Sequence, residues 1–241
     1  MKTLVDLHTH TCASTHAFST LMENITAAKQ KGLEMIAVTD HAPALPDAPH
    51  IWHFNTLRQL PREIDGVKLL FGIESSVLDT AGHIDVPQYL QETLDIVIAS
   101  IHEPLYPSRS VQEHTQAWLN VIQNPHIDVI GHSGHPSYCY DIETVVRAAK
   151  TAGVCIEINN HSFSIRKKNI ENCRKIAEMC KTVGAPIVVN SDAHSCFEIG
   201  EHSSALQMLK EIDFPEELVM NTCAEKFINY IENRKGRRIF S

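Results

Sequence analysis

Three imidazoles, His8, His10 and His16, bound and punctuate the nine-residue stretch "HTHTCASTH", directly behind the apolar run "LVDL". Imidazoles serve as metal ligands, as acid–base groups or simply as satisfied polar side chains, and one histidine alone does not separate these readings. The rest of the chain does. His41 closes "MIAVTDH", Glu74 closes "LLFGIE", His102 closes "IVIASIH", His132 closes "IDVIGH", and Asp192 and His194 close "PIVVNSDAH". Seven of the fifteen histidines, together with Glu74 and Asp192, thus follow apolar runs on the same, carboxyl-terminal side. Unrelated core histidines have no reason to collect there.

Imidazole nitrogen with carboxylate oxygen, and no cysteine at these positions, suits zinc, manganese or iron. If Glu74 bridges two ions and a hydroxide bridges two, the nine side chains supply about twelve ligand positions, enough for three four-coordinate ions. Two ions with outer histidines fit as well. Three divalent ions would carry six positive charges, which Glu74 and Asp192 offset only to an excess of about four. Such a site calls for an anion. A phosphate monoester, which presents several oxygens to several metals, fits better than a neutral amide or ester.

Seven short apolar runs ("LVDLH", "MIAVTDH", "LLFGIE", "IVIASIH", "IDVIGH", "VCIEIN" and "PIVVNSDAH") must position these groups. They lack period-two alternation, as strands of a parallel sheet covered on both faces do. Helical signals lie between them. Thr20 with Glu23 forms a capping box, Met22, Ile25 and Ala28 form a stripe, and Gly32 ends it. Asp141 caps a helix carrying Ile142, Val145, Val146 and Ala149 that Gly153 ends, and Ile170, Cys173, Ile176 and Cys180 repeat the pattern before Gly184. Strand–helix alternation predicts a (β/α) barrel or a distorted relative, with an open doubly wound sheet as the alternative. The segment from Ala42 to Asp65 reads as a loop with a short helix near the mouth, and a last amphipathic helix starting at Ala224 carries Phe227, Ile228 and Ile231.

The chain has 241 residues, 43% hydrophobic and 21% charged, which predicts one soluble domain over 1–241. Neither a membrane-length apolar stretch nor a signal-peptide pattern is evident, so the expected location is cytoplasmic. Seven cysteines without a CxxC pair read as reduced thiols. A net charge of −8 without a basic block argues against nucleic acid as a partner, and the basic tail "ENRKGRRIF" reads as solvated surface. A homo-oligomer is compatible with all of this.

"DLHTHT", "THA", "TDH", "GIE", "IHEP", "GH" and "NSDAH" together resemble the PHP superfamily, named for polymerase and histidinol phosphatase. The likeness runs from Val5 to about Gly200, and "ASTHAFST", "DAPHIWHF" and "IEINNHSF" are most similar to its YcdX-like phosphatase branch. The resemblance implies α/β architecture, a distorted (β/α)7 TIM-like barrel with three divalent transition-metal ions at the C-terminal ends of its strands. Zinc is foremost among these, with Mn2+ or Fe2+ as alternatives. His8, His10, Glu74 and Asp192 would hold one ion, Glu74, His102 and His132 a second, and His16, His41 and His194 a third. A hydroxide bridging the first two would attack phosphorus of a small phosphorylated substrate, which makes Glu74 and Asp192 catalytic as well as ligating. Arg166 in "SFSIRKKN" is the favoured cation for the phosphoryl oxygens, with Lys167 as its rival. Asp40 would orient His41, and His50, Trp52, His53, His135 and His161 would line the pocket. A PHP-type nuclease would carry a basic track, an amidohydrolase a metal-bridging lysine, and a non-catalytic metal-binding protein would have lost ligands; none of these features is found in the sequence.

Overall fold

A computed structural model, which describes residues 1–165 and 167–240, turns each of the seven apolar runs into a strand. Strand β1 (Val5–Asp6) leads through α1 (Leu21–Gln30) to β2 (Met35–Val38), and a long excursion then holds α2 (Trp52–Thr56). A short β3 (Glu63–Ile64) turns into β4 (Val67–Ser76), followed by α3 (Gln88–Thr93), β5 (Ile96–Ser100), α4 (Val111–Ile122) and β6 (Val129–Ile130). After α5 (Ile142–Ala152) come β7 (Cys155–Asn159), α6 (Ser162–Ile165), α7 (Lys167–Val183), β8 (Ile187–Asn190), α8 (Ser203–Glu211) and α9 (Ala224–Lys235). The parallel order β1-β2-β4-β5-β6-β7-β8 makes a nearly closed barrel, and β3 pairs antiparallel with β4 outside that path. This hairpin was not expected, although Asp65-Gly66, both at positive φ, is the dipeptide its two-residue turn requires.

Successive residues of the strands divide between two hydrophobic clusters. Met35, Ala37, Leu70, Ile96, Ile98, Val129, Cys155 and Val188 pack inside the barrel, while their neighbours Ile36, Val38, Leu69, Phe71, Val97, Ile130, Ile156 and Val189 pack under the helices. Both faces are therefore buried, which is why the runs show no polar alternation. Phe227 and Ile231 of α9 join the inner cluster as its stopper. Helix ends follow the sequence signals: the Thr20–Glu23 capping box opens α1, and Asp141 caps α5, which ends on Gly153 in the left-handed region.

The seam between β1 and β8 is closed mostly by side chains. Buried Asn221 donates from Nδ2 to Val5 O (2.9 Å) and Val189 O (2.6 Å) and accepts from Val189 N, while Asn190 Oδ1 accepts from Leu7 N. One isolated parallel bridge, Thr9 to Ala193, lies beyond them. Most of the basic tail is not solvated surface, and Arg238 alone among its cations is largely exposed. Arg234 and Lys235 pair with buried Asp128 at 3.1 and 2.6 Å, and Arg237 reaches buried Asp95, which Arg62 also holds. Among the described residues no helix is long and apolar enough to cross a membrane.

Candidate metal centre

Strand parity carries Glu74 and Glu157 to the inside of the barrel, because each lies an even number of residues beyond an inward-facing position, Leu70 and Cys155. The lower barrel is apolar and the C-terminal end is lined with carboxylates and amides. His8 and His10, two apart on an extended segment, share a side, with ring centroids 5.1 Å apart. Beyond β6, Gly131 is required by close approach: a Cβ there would lie 2.2 Å from Ser100 Oγ and 2.8 Å from Ile98 Cγ2. His132 and Asp192 both have left-handed backbones, with φ of 21° and 57°. Side chains at such positions persist only where their surroundings hold them.

All nine expected ligands meet at this end of the barrel, around Glu74, which is fully buried. Glu74 Oε2 lies 3.3 Å from His8 Nε2, 3.6 Å from His10 Nε2 and 2.9 Å from His41 Nδ1. Its other oxygen, Oε1, faces His102 Nε2 at 3.3 Å and His132 Nε2 at 2.9 Å. Asp192 Oδ1 is 3.2 Å from His10 Nε2 and 3.5 Å from His8 Nε2. His16 and His194 complete a stack with His10 and His41, their rings 4.5 Å apart. The groups able to grip one ion are His8-His10-Glu74, His10-His41-His194, His41-Glu74-His102 and His16-His41-Asp47.

Whether this donor set fits metal ions is tested by its unmade bonds. His8 Nε2, His10 Nδ1, His41 Nδ1, Glu74 Oε2 and His102 Nε2 are all buried without a hydrogen bond. Buried polar atoms are normally paired, so five orphans within one cluster point to a missing partner that accepts lone pairs. The outer contacts agree. Nδ1 of His8 is committed to Glu157 Oε1 (2.8 Å), of His16 to Asp47 Oδ2 (2.8 Å), of His102 to Ser76 Oγ (3.0 Å) and of His194 to the Asp192 carbonyl (2.9 Å). In His8, His16 and His194, whose partners can only accept, this leaves Nε2 as the inward lone pair, the arrangement that outer carboxylates and carbonyls impose on ligating histidines. The residues present fit a cluster of divalent ions.

Charge follows the same logic. Burial would raise the Glu74 carboxyl, but His8, His102 and His41 hold it well below the ordinary range. Asp192 is likewise held well down by His8 and His10 against its burial. Burial, with His41 and His194 alongside, brings His10 down to about 4. His8 goes the other way, because Glu157, Glu74 and Asp192 outweigh its desolvation. The metal-free site is thus a mosaic of charges that ions would replace.

Two supporting carboxylates escape a reading based on the ends of apolar runs. Glu157 sits within its run and binds His8 Nδ1, the His132 backbone N–H (2.7 Å) and the amides of Asn159 and Asn190. Asp47, in the excursion after β2, holds His16. Asp40 does not touch the His41 ring. It accepts from Thr11 N, Thr11 Oγ1 and Ser14 Oγ, with His53 Nε2 3.2 Å away, and acts on His41 only through Ser14 Oγ, which accepts the His41 N–H. Beside the centre a cavity of about 220 Å³ is lined by His102, His132 and Asp192 and also by His135, His161 and Asn169. His50, Trp52 and His53 lie outside that lining, and Trp52 is largely exposed. Arg166 lies outside the described residues.

Comparison with known proteins places the chain in company. The PHP domain family matches residues 6–161. A protein of Acetivibrio thermocellus named "Probable phosphatase" is 47% identical over 98% of both chains, and one so named from Shewanella sediminis is 48% identical over 97% of this chain and 96% of its own. A histidinol phosphate phosphatase of Lactococcus lactis subsp. lactis, solved with zinc, L-histidinol and phosphate, superposes with a TM-score of 0.64 at 19% identity, covering 89% of this chain and 95% of that one. At that identity the likeness is one of fold.

Proposed function

The chain belongs to the PHP domain family, and from that premise we propose that it is a metal-dependent phosphatase acting on small phosphate monoesters, with residues 1–241 forming one domain. The observation that carries this reading is the set of five orphaned buried ligand atoms around Glu74, whose two oxygens face different groups of imidazoles. His8, His10, Glu74 and Asp192 would hold one divalent ion, Glu74, His102 and His132 another, and His16, His41 and His194 a third, Asp47 steadying His16 from outside. When bound, such ions supply positive charge for phosphoryl oxygens and lower the pKa of water toward neutrality.

The chain's own groups do the rest. Glu157, Asp47 and the Asp192 carbonyl set the tautomers of His8, His16 and His194, so that each offers Nε2 inward, and Ser76 Oγ holds His102 by its Nδ1. The adjoining cavity of about 220 Å³ suits a small leaving group, consistent with a monoester. Arg166 remains the proposed cation for the phosphoryl oxygens, on its sequence position alone.

Purified without chelator, the protein should carry about three transition-metal ions per chain and hydrolyse p-nitrophenyl phosphate. Activity should vanish with a strong chelator and return with zinc or manganese. Glu74→Gln should lower metal content and cut turnover by orders of magnitude, whereas Arg166→Ala should spare metal content and weaken inhibition by inorganic phosphate. Full activity in thoroughly stripped protein would overturn the reading.

A further inference from the structure

Two of the candidate ligands, His132 and Asp192, sit on left-handed backbones. Glu157 holds the first by accepting its N–H. The second is held from both sides through Asp6, a fully buried carboxylate two residues before His8. Asp6 belongs to none of the groups able to grip an ion among the described residues.

Val5 and Leu7 on either side of Asp6 pack in the inner cluster, so alternation turns the Asp6 side chain away from the barrel interior and toward the segment that follows β8. Oδ1 accepts from Ser191 N at 3.1 Å, and Oδ2 accepts from Ser191 Oγ and from Gly200 N at 2.8 Å. Ser191 Oγ, its proton committed to Asp6, accepts in turn from Ala193 N at 3.1 Å, and Ala193 O takes the His10 N–H at 2.9 Å. The residues before and after Asp192 are thereby fixed. With them is fixed the direction of Asp192, whose Oδ1 lies 3.2 Å from His10 Nε2 and 3.5 Å from His8 Nε2.

A carboxylate suits this arrangement and an amide does not. Each oxygen of Asp6 receives a backbone N–H, which can only donate. An asparagine would turn its NH2 onto one of those donors and leave a buried N–H unpaired.

We propose that Asp6 is a positioning residue of the metal centre: acting through Ser191, it locks the left-handed turn that aims Asp192 at the ion shared with His8, His10 and Glu74. This rests on the phosphatase reading above and names what holds one of its ligands in place. Asp6 itself touches neither ion nor substrate.

Zinc titration against a competing chelator tests this. Asp6→Asn and Ser191→Ala should each weaken one ion by about 10- to 100-fold, the usual effect of losing an outer partner, and leave the remaining ions close to wild type. Because both variants act on the same turn, the double variant should cost little more than Asp6→Asn alone, whereas independent faults would multiply. Thr3→Val is the control for general stability. It removes the hydroxyl that meets His202 Nδ1 at 2.6 Å, while His202 Nε2 lies 3.6 Å from Asp6 Oδ2, and zinc affinity should hold whatever happens to Tm. Should Asp6→Asn fail to fold, Ser191→Ala decides the matter, since it keeps the backbone N–H on Asp6 and loses only the Oγ link. Unchanged zinc affinity in Ser191→Ala, multiplied losses in the double variant, uniform weakening of every ion, or an equal loss in Thr3→Val would overturn the assignment. Any of these, in a protein whose zinc-loaded wild type hydrolyses p-nitrophenyl phosphate, defeats this proposal and leaves the phosphatase reading standing. A wild type that binds no zinc and hydrolyses no ester defeats both.

Discussion

Glu157 shows how a side chain that need touch no substrate can shape a candidate metal site. Its carboxylate is fully buried, and although burial alone would raise its pKa, His8 and His132 hold it below the ordinary range. One oxygen fixes the His8 tautomer and the other takes the His132 N–H, so a single side chain aligns one candidate ligand beyond β1 and one beyond β6. Glu157→Gln keeps the shape and loses the charge. Metal affinity should fall about 10- to 100-fold, the usual effect of losing such a partner. Titration against a competing chelator measures it, and an affinity equal to wild type would remove Glu157 from this role. A signal was present in "VCIEIN": a carboxylate inside a strand buried on both faces must have partners.

At the scale of elements, the loops at the mouth are tied to strands by individual carboxylates. Asp85 accepts from Ser76 N at 2.7 Å and from Ala44 N at 3.2 Å, joining the segment after β2 to the end of β4. Burial, helped by the charge of Glu74, raises its carboxyl to about 6 against those two hydrogen bonds. A carboxyl raised on folding contributes stability below its unfolded pKa and loses it as pH rises through the folded one. Asp85→Asn removes this titration, so wild type should lose stability relative to the variant between about pH 4 and 6, by up to about 3 kcal/mol. Urea unfolding of both proteins in chelator, from pH 4.5 to 7.5, reads this slope directly. A parallel pair of curves would show that Asp85 titrates normally. Any fixed cost of placing an amide beside the Ala44 N–H cancels in the slope.

Over the whole molecule, the amino-terminal end of the barrel is held shut by charge as well as by apolar packing. Asp128 accepts the Val97 N–H at 2.8 Å and pairs with Arg234 and Lys235, whose side chains are 11% and 5% exposed. Asp128→Ala would strand two nearly buried cations beneath the α9 stopper, a loss of about 3–5 kcal/mol. For a chain of this length that lowers Tm by roughly 10 °C. Glu63→Ala, which breaks the exposed pair with Lys68, should change stability by less than about 1 kcal/mol. Calorimetry of the two variants separates these cases, and equal Tm values would show that the tail is not braced through Asp128.

The seven barrel strands, the helix caps and the inventory of nine candidate ligands are legible in the sequence because each is a local signal: an apolar run, a capping box, a glycine stop, a histidine at the end of a run. His8, His10, His16, His41, Glu74, His102, His132, Asp192 and His194 could be counted without knowing their distances. The remaining features emerge only on folding, because they depend on partners far apart in the chain. Glu157 meets His8 across 149 residues, Asn221 bridges β1 and β8 across 216, and Arg234 reaches Asp128 across 106. No periodicity reports such pairs, since a buried carboxylate or amide takes its meaning from whatever donor folding brings to it. The basic tail is deceptive for that reason: Arg234, Lys235 and Arg237 look solvated until two buried aspartates are found beneath them, and only Arg238 stands largely in solvent. Local physics thus wrote the elements and the ligand types into the chain, and barrel closure determined which groups face each other.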